Sequence, residues 1–365
     1  MFLPGNSELN IASLSSIFSD MSESYKIYWF RSIMDGVEHG NRVMTFDDII
    51  NRMIVNAWYP VSEYHLNLGP ADTLEKTVHY VHTVSGLQTS AAEKDILSFL
   101  HASADPQLIK YKNTLATFVP YRLLSPFMPD FKGKAWDNQR NTIDHINQSQ
   151  GTLYSFAEGK GLGRMVVIRE KWMPYLISNQ GIIDGWIEFS MIQYLQKRNP
   201  SVPGISNKLH APTERKLDKA KGFWKAVVNA APIHDIYSSS ILTVQDISLD
   251  HFVPWSFVAH DELWNLVPTT RSINSSKSNG LPNWDTFFPR LCAIEYESYE
   301  LIWQNDKVAA EFRKCEREHI NSNEARMGLY QPGISQTDFA THLGNLLLPT
   351  YQAARNQGFQ EWALR

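Results

Sequence analysis

Apolar residues recur every three to four positions through most of the first hundred residues, which is the spacing of an amphipathic helix. Residues 7–60 follow this pattern, and Thr45 is predicted to be the N-cap of one helix within them. The same spacing returns toward the other end of the chain. It predicts further helices over residues 72–84, 91–102, 295–317 and 335–357.

The pattern changes after Thr152. Residues 153–156 and 164–168 are short apolar runs on either side of Gly159, Gly161 and Gly163, and they predict two strands joined by a turn. A helix is predicted to begin at Trp172, and the helical spacing then resumes over residues 185–197 and in a segment that ends near Asn229.

Together these elements predict an α+β fold, with mainly α-helical N-terminal and C-terminal parts around a small unit of two strands and one helix. The predicted division has four parts. They are a mainly helical recognition or regulatory domain (1–150), a mixed basic segment (151–230), the strand-and-helix unit (231–290) and a C-terminal helical segment (291–365).

The composition is that of an ordinary globular chain. Of 365 residues, 43% are hydrophobic and 20% are charged. Two cysteines argue against a disulfide framework and fit a reducing compartment. No apolar run approaches the length needed to cross a bilayer. We therefore expect a cytoplasmic protein with no membrane partner.

A net charge of −4 conceals an asymmetry along the chain. Residues 1–100 carry six basic residues against twelve acidic ones, whereas residues 160–230 carry twelve basic residues against five acidic ones. A basic stretch suits contact with a phosphate backbone. Lys216 and Lys219 lie on a predicted helix in this stretch and are candidates for nucleic-acid binding, with an ordinary solvated helix face as the alternative.

The residues most suited to chemistry follow that basic stretch, in the run DHFVPWSFVAHDELWNLVPTTRSINSSKSNGLP. It opens with Asp250 and His251, and Asn265 follows in a predicted second strand. Asn274 and Lys277 are three residues apart on a predicted short helix over 271–279 and so share a face. Carboxylate and amide oxygens suit hard divalent cations. Histidine suits general base catalysis because its pKa lies near operating pH.

This order and spacing resemble the HNH endonuclease signature, the ββα-metal fold in its His-Asn-Asn form. The resemblance spans about 35 residues and is closest to the HNH domain of RNA-guided CRISPR effector nucleases, with similarity also to uncharacterised bacterial HNH proteins. It implies an HNH nuclease domain at 231–290 that hydrolyses phosphodiester bonds in DNA, by nicking or double-strand cleavage. It further implies a role in bacterial defence against phage or foreign DNA, with other defence-system proteins as candidate partners.

The resemblance also implies a role for each residue of the motif. Asp250 and Asn274 would hold Mg²⁺ or Mn²⁺, and His251 would be the general base on the attacking water. Asn265 would orient the imidazole. Lys277 and Arg271 would contact phosphate groups of the nucleic acid.

The residues themselves leave alternatives open. Asn265 suits a hairpin residue that bonds backbone groups, and Lys277 suits a solvated helix lysine. His260 and Asp261 fit either a turn cap or a contact with nucleic acid. At the level of function, the alternatives are an RNA-cleaving or non-specific nuclease toxin, and a DNA-binding adaptor with an inactive HNH fold.

Many HNH proteins hold a structural zinc with paired cysteines, but this chain has only Cys292 and Cys315. Two cysteines cannot form a four-cysteine site, so no structural zinc is expected. We expect packing to support the ββα unit instead, with Trp255, Phe257 and Trp264 as candidates for its core.

Overall fold

The computed structural model describes residues 3–212 and 215–363. The chain forms two compact units, Met1–Pro200 with Ile205–Ala211 and Ser201–Gly204 with Pro212–Arg365. About 60% of the chain is helical and its sheets are small, which confirms the α+β class. The four-part division remains a prediction. Among the described residues, no helix is both long enough and apolar enough to cross a membrane.

The first unit consists of helices and one small antiparallel sheet. Short 3₁₀ helices occur at Ser125–Phe127, Gly133–Asp137, Gly161–Gly163 and Ile205–Lys208. The strands are β1 (Val43–Thr45), β2 (Tyr154–Ala157) and β3 (Met165–Ile168). The helices are α1 (Ile11–Ser15), α2 (Tyr25–Glu38), α3 (Phe46–Trp58), α4 (Thr73–Ser85), α5 (Glu93–Ala102), α6 (Pro106–Leu115), α7 (Val119–Arg122), α8 (Gln139–Gln148), α9 (Trp172–Ser178) and α10 (Gln180–Arg198).

The core of this unit lies where α2 packs against α3 and α10. Trp29, Phe30 and Trp58 are fully buried there. Thr45 caps α3 as predicted, since its hydroxyl accepts a hydrogen bond from the Asp48 amide while the Asp48 carboxylate accepts one from the Thr45 amide. Beyond α3 the chain continues as a π-helix, Tyr59–Glu63.

The predicted hairpin is confirmed, because β2 pairs with β3 in antiparallel register, with Phe156 opposite Val166. The sheet has a third strand that the sequence did not indicate. β1 pairs with the other edge of β3. At three residues, β1 is too short to show an alternating pattern.

The second unit contains the candidate chemistry. A 3₁₀ helix occupies Leu263–Asn265, and the strands are β4 (Ile247–His251), β5 (Leu266–Thr270), β6 (Leu281–Pro282) and β7 (Glu361–Trp362). The helices are α11 (Asp218–Ala230), α12 (Trp255–Val258), α13 (Arg271–Lys277), α14 (Trp284–Gln304), α15 (Asp306–His319), α16 (Asn323–Leu329) and α17 (Gln336–Asn356).

Strands β4 and β5 pair in antiparallel register and lead directly into α13, so the chain forms the expected two strands and helix. Thr270 is the N-cap of α13, and its hydroxyl accepts a hydrogen bond from the Ile273 amide at 3.3 Å. Ser272 lies within α13 and is not its cap. Asn265 lies in the turn just before β5 and not within the strand.

Packing from α11 supports this hairpin. The fully buried Trp224 donates a hydrogen bond from its indole Nε1 to the Leu266 carbonyl at 2.9 Å. Phe257 and Trp264 are buried as expected, whereas Trp255 remains partly exposed. The prediction of one helix over 295–317 is wrong, because α14 ends at Gln304 and α15 begins at Asp306.

Candidate functional site

Asp250 and His251 end strand β4, opposite Val267 and Leu266 of β5. Each is only 3% exposed. Successive side chains on a strand point to opposite faces. The two side chains accordingly have different hydrogen-bonding partners, so they form two adjoining halves of one site.

The His251 imidazole has a partner on each nitrogen. Its Nε2 lies 2.8 Å from Oδ1 of Asp261, and its Nδ1 lies 3.1 Å from a guanidinium nitrogen of Arg215. Arginine can only donate hydrogen bonds. Nδ1 is therefore the acceptor, and Nε2 carries the proton that it donates to Asp261. This is the neutral tautomer with its lone pair on Nδ1.

Burial is the main cause that lowers the pKa of His251. The hydrogen bond that His251 donates to Asp261 opposes this effect, and the charge of Arg215 adds to it. For Asp261, burial alone would raise the pKa, but the hydrogen bond with His251 and nearby positive charge lower it overall. The pair is therefore a neutral imidazole beside an ionised carboxylate. That is the protonation state in which a histidine can accept a proton.

The Asp250 carboxylate is held by two side chains. The Tyr237 hydroxyl donates to Oδ2 at 2.5 Å, and the ammonium of Lys277 lies 3.1 Å from Oδ1 and 3.0 Å from Oδ2. Lys277 also donates to the His251 backbone carbonyl at 2.7 Å. Burial lowers the pKa of Lys277, against which the charge of Asp250 acts.

Lys277 thus lies in a different place from the one expected of a phosphate contact. Its side chain is 0% exposed, and its ammonium group is directed at Asp250 and not at solvent. Nor is Lys277 a solvated helix lysine, which was the alternative, because its side chain is buried. Contact between Lys277 and nucleic acid remains a prediction.

Asn274 on α13 faces β4. Its side-chain nitrogen donates to the Ser248 hydroxyl at 2.8 Å and to the Leu249 carbonyl at 2.9 Å. Both amide hydrogens are therefore used, and among the described residues no hydrogen bond is made to its Oδ1. This arrangement leaves the amide oxygen available to a metal ion.

The residues present fit a hard divalent ion held by few protein ligands. Such an ion takes oxygen ligands and retains several waters. Asp250 has one lone-pair direction left beyond its bonds with Lys277 and Tyr237, and Asn274 offers Oδ1. The described part of the chain has no group of three or more His, Cys, Asp or Glu side chains that could hold a metal ion. The pair of Asp250 and Asn274 falls outside that definition, because only Asp250 is one of those four residue types.

Asn265 does not contact the imidazole. Its Oδ1 accepts from the Val253 amide at 2.8 Å and its Nδ2 donates to the Val253 carbonyl at 2.9 Å, with no exposed surface. These contacts are those of the alternative in which Asn265 bonds backbone groups of the hairpin. The contact expected of Asn265 is made by Asp261.

Asp261 is held in place from α15. The His319 ring donates from Nδ1 to the Asp261 carbonyl at 2.7 Å, because a carbonyl oxygen can only accept. The neighbouring Glu262 carboxylate accepts hydrogen bonds from the Asn321 side chain at 2.6 Å and from the Trp264 indole at 3.1 Å. The loop that presents Asp261 is therefore clamped by the end of α15.

Three contacts of the site were not predicted from the sequence. They are those of Tyr237 with Asp250, of Arg215 with His251 and of Asp261 with His251. For Asp261 the signal was an acid ten residues after His251, which also fits a turn. For Tyr237 and Arg215 the sequence holds no spacing signal, since both lie outside the hairpin and reach it only in the folded chain.

The other basic candidates lie at the surface. Arg271 at the start of α13 and Lys216 before α11 are exposed. Lys219 forms an exposed ion pair with Glu318. Their binding to nucleic acid remains a prediction.

Comparison with known families places this geometry in context. Residues 234–283 match the family model described as HNH endonuclease, which supports the assignment of this segment to the HNH superfamily. The match implies a nuclease with a nucleic-acid substrate, and HNH nucleases generally use divalent metals. The closer resemblance to CRISPR effectors gains no support from it. Neither the curated proteins nor the solved structures provide a match to the chain.

Proposed function

We propose that the chain is a metal-dependent endonuclease that hydrolyses phosphodiester bonds of DNA, with His251 as the general base. The observation that carries the proposal is the neutral His251 ring, with Nε2–H directed to Asp261 and its Nδ1 lone pair turned toward a donor. The HNH match over 234–283 supports the reaction class. The choice of DNA rests on the family resemblance.

In this mechanism the Nδ1 atom of His251 takes a proton from a water molecule whose oxygen attacks phosphorus. The bond between phosphorus and the leaving deoxyribose oxygen then breaks, and that oxygen gains a proton from solvent. Asp261 holds the ring orientation and stabilises the imidazolium that forms, as a carboxylate does beside a catalytic histidine.

Asp250 and Asn274 would hold Mg²⁺ or Mn²⁺. The ion would supply charge neutralisation at the phosphate and stabilisation of the leaving oxygen. Lys277 holds the Asp250 carboxylate in its orientation through its contacts with both carboxylate oxygens.

Arg215 has to leave Nδ1 before water can use that lone pair. Its guanidinium is 3.1 Å from Nδ1 of His251 and 5.7 Å from the centre of the Trp255 ring. Arg215 as a whole is exposed. A substrate phosphate is a stronger partner for arginine than a neutral imidazole. We assign to Arg215 a move from His251 to the phosphate when nucleic acid binds.

Two further parts of the proposal concern the cell. The resemblance to bacterial HNH proteins favours a role in defence against phage or foreign DNA. The free, buried Cys292 and Cys315 fit a reducing cytoplasm.

The test is incubation with supercoiled plasmid in Mg²⁺, in Mn²⁺ and in EDTA, with nicked and linear products separated on a gel. We expect cleavage with either metal and none in EDTA, and loss of cleavage in Asp250→Ala. A parallel RNA substrate is included. Cleavage of RNA in EDTA without cleavage of DNA would overturn the proposal in favour of an RNase. Binding without cleavage of any substrate would favour an inactive adaptor.

A further inference from the structure

The first unit contains a cavity of about 710 Å³, within the range of ligand-binding pockets. Its lining includes three basic side chains, Lys26, Arg122 and Lys132, and the aromatic side chains of Phe118, Phe131 and Trp136. None of them belongs to the candidate nuclease site, which lies in the second unit.

The basic side chains in this cavity have few anionic partners. Lys26 donates to the Asp20 backbone carbonyl at 2.7 Å, and among the described residues neither Lys26 nor Lys132 forms an ion pair. Arg122 lies 3.7 Å from Asp137, but both are exposed, so that pair contributes little. Three cations therefore line one cavity, and they would attract an anion there.

The surroundings of Lys26 also favour a bound anion. Burial lowers the pKa of Lys26 most, Asp20 acts in the opposite direction, and Arg122 lowers it further. A half-buried ammonium group beside a second cation is stabilised by a bound anion.

Two acids also line the cavity, Asp20 and Glu23, but they do not cancel the positive charge. Oε2 of Glu23 lies beside Gly69, so close that a Cβ on Gly69 would meet it at 2.1 Å. Gly69 does not line the cavity. Counted together, the three basic and two acidic side chains leave the lining with one excess basic residue.

Aromatic side chains lie next to those cations, and one face of Phe131 is stacked on the His145 ring at 4.6 Å. The Trp136 indole is oriented by donating to the Phe131 carbonyl at 2.7 Å, and the two rings meet edge to face at 4.9 Å. The Arg122 guanidinium is 5.7 Å from the Trp136 ring centre. Phe118 is 62% exposed, although a large apolar side chain is normally buried.

We propose that this cavity binds a nucleotide, with its base against the aromatic side chains and its phosphate at Lys26, Arg122 and Lys132. Stacking surfaces beside a basic groove are the combination by which proteins hold unpaired nucleotides. The ligand is either a free mononucleotide or one nucleotide of a single strand, since both present the same base and phosphate. The proposal stands independently of the nuclease assignment.

The test is isothermal titration calorimetry on the full chain in EDTA and low salt, so that no cleavage occurs. The probes are AMP, TMP, adenosine, inorganic phosphate and 5′-phosphorylated tetrathymidylate. We expect a nucleotide or the oligonucleotide to bind more tightly than adenosine or phosphate alone. Binding of the mononucleotide as tight as that of the oligonucleotide would identify a free ligand, and binding of the oligonucleotide alone would identify a strand.

Two exposed side chains give variants that should leave the fold intact, Phe118→Ala and Lys132→Ala. Loss of one stacking partner is expected to weaken binding by about 5- to 100-fold. Matched controls are Phe189→Ala, which removes an aromatic side chain that is 47% exposed, and Lys160→Ala, at another exposed lysine. Circular dichroism checks the fold of each. Absence of binding by every probe at about 1 mM, or equal affinity in the cavity and control variants, would overturn the proposal.

Discussion

The two nitrogens of the His251 ring have opposite hydrogen-bonding roles. Asp261 accepts from Nε2, and Arg215 donates to Nδ1. The side chain of Asp261 therefore determines which nitrogen keeps its lone pair. If His251 is the base, Asp261 acts through it as a positioning residue.

Asp261→Asn should reduce kcat by about 10²- to 10⁴-fold while KM and DNA binding change little. An asparagine amide can donate to Nε2, which favours the tautomer that has its proton on Nδ1 and cannot accept another. Steady-state cleavage kinetics on a labelled duplex measure both constants. Asp246→Asn, at an exposed acid of the same unit, is the control. Unchanged kcat in Asp261→Asn would contradict the positioning role.

A second prediction concerns the buried pair of Asp250 and Lys277. Lys277→Met leaves a buried carboxylate without its cation and should lower the free energy of unfolding by about 3–5 kcal/mol. Adding Asp250→Asn should recover much of that loss, because the uncompensated charge is removed. Urea denaturation measures both variants.

Lys219→Met, in the exposed pair with Glu318, is the matched control and should change stability little. If Lys277→Met unfolds at the same urea concentration as the original protein, the two charges are not coupled in the way described.

These residues show which parts of the site the sequence could predict. Asp250, His251, Asn274 and Lys277 come together through β4 and α13, because local spacing placed them on one hairpin and one helix face. The partners of His251 could not be predicted. Asp261 is presented by a loop, and Arg215 comes from before α11, so only tertiary packing brings them to the ring.

At the scale of elements, helices α14 and α15 each contain a buried polar side chain, Glu295 and His319. The end of α15 holds the loop of Asp261 through His319. Glu295 on α14 is 1% exposed, and among the described residues its Oε1 has no hydrogen-bond partner. Burial raises the pKa of Glu295 well above its usual range, so it is neutral at moderate pH.

Glu295→Gln is expected to gain stability over the original protein as pH rises, so that the difference between the two is more favourable to the variant at pH 8 than at pH 5. A carboxyl whose pKa is higher in the folded state stabilises the fold below its unfolded pKa of about 4.3, and that contribution is lost as pH rises. Glutamine cannot ionise and so avoids this loss. Thermal denaturation at both pH values measures the difference, with the exposed Glu300→Gln as control. A stability difference between Glu295→Gln and the original protein that does not change with pH would contradict the prediction.

Helix periodicity succeeded where an element was long and amphipathic, as for α17. It failed at Asn305, where one residue separates α14 from α15 without interrupting the apolar spacing. Asn305 caps α15 by accepting from the Lys307 amide at 3.0 Å. A cap inside a continuous pattern resembles any polar helix position, so the sequence alone did not reveal the break.

For the whole molecule, the candidate catalytic residues and their contacts lie within the second unit, while the cavity proposed to bind a nucleotide lies within the first. The proposed cleavage chemistry and the proposed nucleotide-binding cavity therefore lie in different units. The sequence indicated the candidate catalytic residues because a short motif contains them. The cavity had no such signal, since its lining comes from separate segments of the chain.

His251 is the proposed general base of a metal-dependent nuclease. The most direct measurement is plasmid cleavage in Mg²⁺ by His251→Ala, compared with His101→Ala at an exposed histidine of the first unit. We predict that His251→Ala binds DNA but loses cleavage by at least about 10²-fold, whereas His101→Ala cleaves normally. Full cleavage by His251→Ala would show that His251 is not the general base.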